Sequence, residues 1–247
     1  MTKIIARSCV LIHSGWHGGW VWDSIIEPIK KIARYEKVIA PDLPGHANNK
    51  LDFKNVTLNS YTDSIFNIIN PIPKPVALIG HSMGGMIISQ VAEYIPSDIA
   101  YLIYLSGFIP DNAGSLVDEE KKSVKPSVAL AATINLQNYA IKIDNQKAPY
   151  LFYNCSNTEY VKYAMNKLQD QPLLPFVSPV SISQDKFGSV KKFYIACLQD
   201  NAIHPIDQKR MYSKVDCQVL TLDTDHSPFF SAQENLIELI GMCANAI

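Results

Sequence analysis

Val76-Ala77-Leu78-Ile79-Gly80-His81-Ser82-Met83-Gly84-Gly85-Met86-Ile87-Ile88 is the stretch that decides the fold. A short apolar run ends in Gly80-His81-Ser82-Met83-Gly84, and a second apolar run opens on the glycines. The pentapeptide fits G-x-S-x-G, the sharp turn that sets a nucleophilic serine between a strand and a helix. So short a pattern arises by chance, and its flanks give it weight. Residues 76–79 read as strand, and Gly84–Tyr94 as a helix that ends before Pro96. Glycines on both sides let neighbouring backbone approach without Cβ clashes. The turn would hold Ser82 Oγ above the sheet at the positive end of a helix, where developing negative charge is favoured. The bland alternative is an ordinary glycine-rich turn.

Outward from this turn, strand and helix signals alternate. Residues 9–13 form an apolar run followed by a glycine-rich stretch. Residues 21–33 carry Ile25, Ile26, Ile29 and Ile32 at helical spacing. Residues 37–40 form another β-branched run, and a helix is expected over Leu58–Ile69. Pro71, Pro73 and Pro75 mark a loop, and residues 102–106 a further strand. Short apolar strands alternating with helices indicate an α/β fold, with a mostly parallel central sheet flanked by helices. From Asp111 to Lys186 the rhythm breaks, with a charged run at 118–122 and prolines at 149, 172, 175 and 179. Strand signals resume at 190–198 and 218–222, and a terminal helix at 231–244. A linker is one reading of the middle region. An inserted helical cap is the better one, because the sheet pattern continues after it. The expected organisation is a core of residues 1–110 and 187–247 with a cap insertion at 111–186.

Composition narrows the classes. The 247 residues are 47% hydrophobic, enough for one sizeable core with a small lid. A net charge of −1 offers no basic excess for nucleic acid and no steering field for anionic membranes. Cys9, Cys155, Cys197, Cys217 and Cys243 are odd in number, scattered and free of C-x-x-C pairs. They read as reduced thiols of a cytoplasmic protein. Arg7 interrupts the N-terminal apolar stretch before it reaches signal-peptide length, and no apolar run approaches the roughly 18 residues of a membrane helix. A soluble, unexported protein is expected.

A serine hydroxyl needs a base. In the strand–turn–helix context of Ser82 the chain order is serine, acid, histidine. Of the six histidines only His204 and His226 follow the turn with an acid in between. His226 lies just past the last strand, where a base belongs, whereas His204 is only four residues beyond the best acid and reads as a surface or pocket histidine. Asp200, at the end of the strand 190–198, is the preferred acid, and Asp111 is the runner-up. An oxyanion needs two backbone donors. Met83 N–H supplies one, and Gly15 N–H, in the loop after the first strand, is the candidate for the other.

Residues 11–20 (LIHSGWHGGW), 80–86 (GHSMGGM), 187–192 (FGSVKK), 197–200 (CLQD) and 225–230 (DHSPFF) together resemble the plant hydroxynitrile lyase and methylesterase family and related bacterial esterase-like hydrolases. The resemblance runs from about Cys9 to the C-terminus and is weakest in the cap. It implies the α/β-hydrolase fold and a triad of Ser82, Asp200 and His226. It further implies a mobile cap over an apolar pocket, no cofactor, no metal, and often a homodimer. Esterase-like members carry Gly after the first-strand histidine, and lyases carry Thr; here the residue is Ser14. Lyases place Lys directly after the triad histidine; here it is Ser227. The expected activity is therefore hydrolysis of a small, largely hydrophobic carboxylic ester through an acyl-enzyme. The alternatives are lyase-type carbon–carbon cleavage and a non-catalytic small-molecule receptor. Expected pocket residues are Ser14, Trp16, His81, Met83, Phe108, Leu173, Phe176 and Phe229.

Overall fold

A computed structural model describes residues 5–125 and 127–246. Met1 to Ile4, four of the six residues that precede Arg7, lie outside the described residues. The strands are β1 (Ser8–Ile12), β2 (Lys37–Ile39), β3 (Val76–His81), β4 (Ile99–Leu105), β5 (Ala132–Asn135), β6 (Ala140–Ile143), β7 (Gln171–Pro172), β8 (Lys191–Cys197) and β9 (Gln218–Leu222). The helices are α1 (Ile26–Ile32), α2 (Leu58–Ile69), α3 (Gly84–Tyr94), α4 (Leu116–Lys121), α5 (Ala148–Phe152), α6 (Thr158–Met165), α7 (Leu174–Val177), α8 (Pro205–Tyr212), α9 (Pro228–Ser231) and α10 (Gln233–Asn245).

Six strands form the main sheet in the order β2-β1-β3-β4-β8-β9, and every pairing is parallel. All residues of β1, β3 and β4 are buried, because helices cover both faces. Each fully buried Ile or Leu contributes about 1.5–3 kcal/mol, so these strands anchor the fold. Register brings the carboxyl ends together. Ile12 pairs with Gly80, His81 with Leu105, and Cys197 with Leu222. The loops after β1, β3, β4, β8 and β9 therefore open on one end of the sheet, where ligands bind in open α/β sheets.

The helices follow their local chemistry. Thr57 and Ser60 form a reciprocal capping box at the start of α2, whose buried face carries Leu58, Tyr61, Ile65 and Ile69. The long helix expected over 21–33 is instead a 3-10 turn at Gly19–Trp22 followed by α1. The helix α8 carried no apolar period, since two of its three buried residues are Asp207 and Gln208. Lys192 sits inside an apolar strand because its Nζ donates to the carbonyls of Phe187, Gly188 and Val190. Burial pushes its pKa down to about 8.

The segment between β4 and β8 holds α4 to α7, and also an antiparallel sheet in the order β5-β6-β7. The expectation of a purely helical insert missed this sheet. Its strands are only two to four residues long, too short for a period-2 pattern to register. Glu119 on α4 has a fully buried side chain ion-paired to Arg210 on α8 and to Lys122 and Lys214, which ties the insert to the core. Among the described residues no helix is long and apolar enough to cross a membrane.

All five thiols are free. Cys9, Cys197 and Cys243 are buried, Cys217 is half-buried and Cys155 is exposed. Burial pushes Cys217 up to about 11 and Cys243 up to about 12. A thiol reagent at neutral pH should therefore label about one cysteine quickly in the native protein and all five after denaturation without reductant. Fewer than five on denaturation would reveal a disulfide and contradict the reduced state.

Candidate active site

Ser82 sits at φ +53, a left-handed conformation that a non-glycine residue adopts only when its surroundings enforce it. Three close approaches enforce it here. A Cβ on Gly80 would lie 2.5 Å from Gly84 O, one on Gly84 2.7 Å from Ile12 O, and one on Gly85 2.5 Å from Phe108 O. The turn is pinned further by Ser82 N–H donating to Leu105 O (3.2 Å), while Ser82 O accepts from Gly85 N–H (3.0 Å) and Phe108 N–H (2.9 Å). The side chain of Ser82 is left facing a cavity.

His226 opens on the same cavity from the loop after β9. Its Nδ1 lies 2.7 Å from Asp200 Oδ2. Asp200 also accepts from the N–H groups of Ala202 (2.7 Å) and Ile203 (2.8 Å), from Gln208 Nε2 (3.2 Å) and from Ser106 Oγ. With so many donors converging on it, the carboxylate takes the Nδ1 proton of His226 as a hydrogen bond. Nε2 is then left as the basic nitrogen. No hydrogen bond joins Ser82 Oγ to His226 among the described residues; catalytic contacts of this kind often tighten only with a ligand present. Asp111, the other candidate acid, is exposed and paired with Lys122 and Lys214, which hold it down to about 2. It makes no contact with His226.

His81 was expected in the pocket. It is fully buried behind the base instead, its ring 4.6 Å from that of His226 and edge-on to Phe229. Its Nε2–H donates to His226 O at 2.7 Å, so it braces the base loop. His81 is the last residue of β3, and the left-handed turn that begins at Ser82 sends the next side chain to the cavity while the His81 ring stays packed behind it. His204 caps α8 through Nδ1, which accepts from Ile206 N–H.

The loop after β1 is built around two neutral histidines. His13 Nδ1–H donates to Ser14 O (2.8 Å), and its Nε2 accepts from Leu43 N–H (3.1 Å). A trans peptide sets C=O and N–H in opposite directions, so fixing Ser14 O aims Gly15 N–H the other way. Neither Gly15 N–H nor Met83 N–H has a partner among the described residues, and both residues line the cavity. His17 Nδ1 lies 2.7 Å from Gly15 O and 2.8 Å from Ser14 Oγ. Burial pushes His13 down to about 4 and His17 down to about 3, so neither carries charge at neutral pH.

The cavity has a volume of about 350 Å³. Ser14, Ser82 and His226 form its polar floor, while Trp16, Phe108 and Phe176 line its walls. Leu173 and Phe229 do not reach it. Leu173 is buried, its N–H bonded to Tyr139 O, and Phe229 packs on His81 and Trp22. Ser227, beside the base, is fully buried with its N–H on Asp225, and it too is absent from the wall. Sequence reasoning missed Phe152, Ile203 and the orienting pair Ser106 and Gln208. Phe152 lies in the insert without a periodic frame, and Ser106 and Gln208 resemble ordinary polar residues until the fold brings them to Asp200. Among the described residues no group of three or more His, Cys, Asp or Glu side chains could hold a metal ion.

Residues 9–239 match the alpha/beta hydrolase family. The chain is 27% identical to methylesterase 7 of Arabidopsis thaliana, with 97% of each chain covered. It is 30% identical to a chloroplastic Arabidopsis thaliana protein numbered 11 in the methylesterase series; the match covers 94% of this chain but only 62% of that protein's length. Among solved structures, a pyrethroid hydrolase from Sphingobium faniae JZ-2 superposes with a TM-score of 0.87, covering 98% of both chains at 23% identity. The chain belongs to the alpha/beta hydrolase family.

The close approaches at the turn give a graded prediction. Gly80→Ala drives a Cβ against backbone and should lower unfolding free energy by about 1–3 kcal/mol or more in a urea titration. Gly15→Ala meets the ring of Phe176 at 2.9 Å, a side chain that can move, and should cost clearly less.

Proposed function

We propose that this member of the alpha/beta hydrolase family hydrolyses small, largely hydrophobic carboxylic esters through an acyl-enzyme on Ser82. The observation that carries the proposal is the strained Ser82 turn sharing one apolar cavity with His226, whose Nδ1 is held by Asp200. In this reading His226 Nε2 takes the proton of Ser82 Oγ as the oxygen attacks the ester carbonyl. Gly15 and Met83 N–H groups receive the oxyanion. His226 then protonates the departing alcohol, and water activated by the same nitrogen releases the acid. Asp200 keeps the imidazole in one tautomer and stabilises the imidazolium without taking its proton.

The insert at 111–186 would act as the cap, since Leu116, Ile141, Phe152 and Phe176 supply cavity wall. Those walls favour apolar acyl or alkyl groups. The names of the methylesterase relatives support ester chemistry with a small alcohol. Lyase-type cleavage draws no support from the residue after the base, because Ser227 is buried away from the cavity and brings no cation to it. All the proposed groups come from one chain, so the chemistry does not require a homodimer. Five free thiols support a reducing compartment such as the cytoplasm.

Ser82→Ala should lower turnover of small aryl esters on the order of 10³-fold or more, and Asp200→Asn on the order of 10²–10⁴-fold, in initial-rate assays. A panel varying acyl and alcohol size separately maps the substrate. Full turnover by Ser82→Ala would end the proposal, and labelling of Ser82 by a fluorophosphonate without turnover of any ester would favour a receptor.

A further inference from the structure

We propose that Tyr153, carried by the insert, is a positioning residue for the oxyanion loop, acting through the ring of His17. The inference rests on the ester-hydrolysis reading above. Tyr153 follows α5 directly, and its Oη lies 2.6 Å from His17 Nε2. The other ring nitrogen lies 2.7 Å from Gly15 O. A carbonyl oxygen only accepts, so Nδ1 carries the proton, and Nε2 must accept from the Tyr153 hydroxyl. Burial raises the phenol well above its usual range and keeps the imidazole neutral, consistent with that direction.

The opposite tautomer would set a nitrogen lone pair against the lone pairs of Gly15 O, and only the Ser14 hydroxyl could then satisfy Nδ1. The peptide after Gly15 would lose its anchor. That peptide leads into Trp16, which sits at φ +63 and whose N–H is held by Gln171 Oε1 at 3.2 Å. A strained loop of this kind persists only while its partners over-determine it. Here the insert supplies Gln171 directly and, through His17, Tyr153.

Tyr153 is itself fixed in place, because the residues around it are tied to the other two catalytic loops. Phe152 packs on the ring of His226 at 5.8 Å. Asn154 Nδ2 donates to Gln199 O (3.0 Å), next to Asp200. Cys155 N–H (2.8 Å) and Ser156 Oγ (3.0 Å) donate to Asp225 Oδ2, next to His226. Residues 152–156 thus touch the loops of acid, base and oxyanion donor together. The insert does more than cover the site: it holds the donor loop in shape.

The test is Tyr153→Phe in the full chain, which removes one oxygen and keeps the ring. The expected result is a fall in kcat of about tenfold or more with KM changed by less than about threefold. The imidazole nitrogen NMR shifts of His17 should move away from the pure Nδ1–H pattern. A kcat within about twofold of the unmodified protein, or an unshifted His17 tautomer, overturns the proposal. Should the variant fail to fold, the unmodified protein still decides: a His17 protonated on Nε2 overturns it. Should no ester be turned over at all, the ester reading fails, and the His17 tautomer in Tyr153→Phe still tests this one.

Discussion

Backbone pressed against backbone at Gly80, Gly84 and Gly85 is the constraint on which the rest of the site depends. Each glycine sits where a Cβ would fall within 2.7 Å of a main-chain oxygen. These contacts draw the turn after β3 against β1 on one side and against the loop after β4 on the other. They force the positive φ of Ser82, direct its side chain out of the sheet, and bring Met83 N–H level with the loop that carries Gly15. A helix N-terminus and a neighbouring loop become a pair of unpartnered donors because the chain cannot close the turn otherwise. The strain at Ser82 is offset by the strands packed beneath it, all of whose residues are buried.

Around that turn the molecule uses neutral histidines as struts. His13, His17, His46 and His81 are all buried, and burial lowers the pKa of each. A neutral imidazole donates at one nitrogen and accepts at the other, so it can tie a carbonyl to an N–H or hydroxyl across a loop. His13 links Ser14 O to Leu43 N–H, His46 links His17 O to the Tyr61 hydroxyl, and His81 braces the carbonyl of the base itself. Of the histidines at this end of the sheet, His226 is the one placed on a carboxylate with its ring at the cavity. A chain with six histidines thus offers a single candidate base: four of the others are buried struts, and the half-buried His204 caps α8.

Much of this was legible in sequence, for a physical reason. Parallel strands buried on both faces read as unbroken apolar runs, and the turn at Ser82 needs glycines at fixed offsets. The buried strand β3 and the helix α3 that follows it could therefore be read off with little error. Side-chain direction was harder to read. His81, Leu173 and Phe229 were expected at the pocket from their residue type and neighbourhood, yet none of them lines the cavity, because residue type and sequence position do not fix which way a side chain turns at the end of a strand or in a loop. The insert was least legible. Its short helices and strands are held by contacts far apart in sequence, such as Glu119 with Arg210 and Cys155 with Asp225. Ser106 and Gln208 gain meaning only when β4 and α8 bring them to Asp200.

That division of labour bears on what the fold can say about substrate. The groups proposed for catalysis sit on core loops whose geometry is set by the sheet, and the superposition on a pyrethroid hydrolase at a TM-score of 0.87 covers 98% of both chains, the insert included. The walls that would select a substrate come largely from the insert, the part where the sequence resemblance is weakest. Likeness of fold therefore does not carry specificity across. Yet the two parts are not independent, because the turn after α5 is bonded to the acid, base and donor loops at once. A change in the insert that reshapes the cavity must keep those bonds or disturb the loops beneath. Variation in specificity is then easiest at positions that face the cavity without bridging to the core, such as Leu116 and Val128. It is most constrained at the bridging turn around Tyr153.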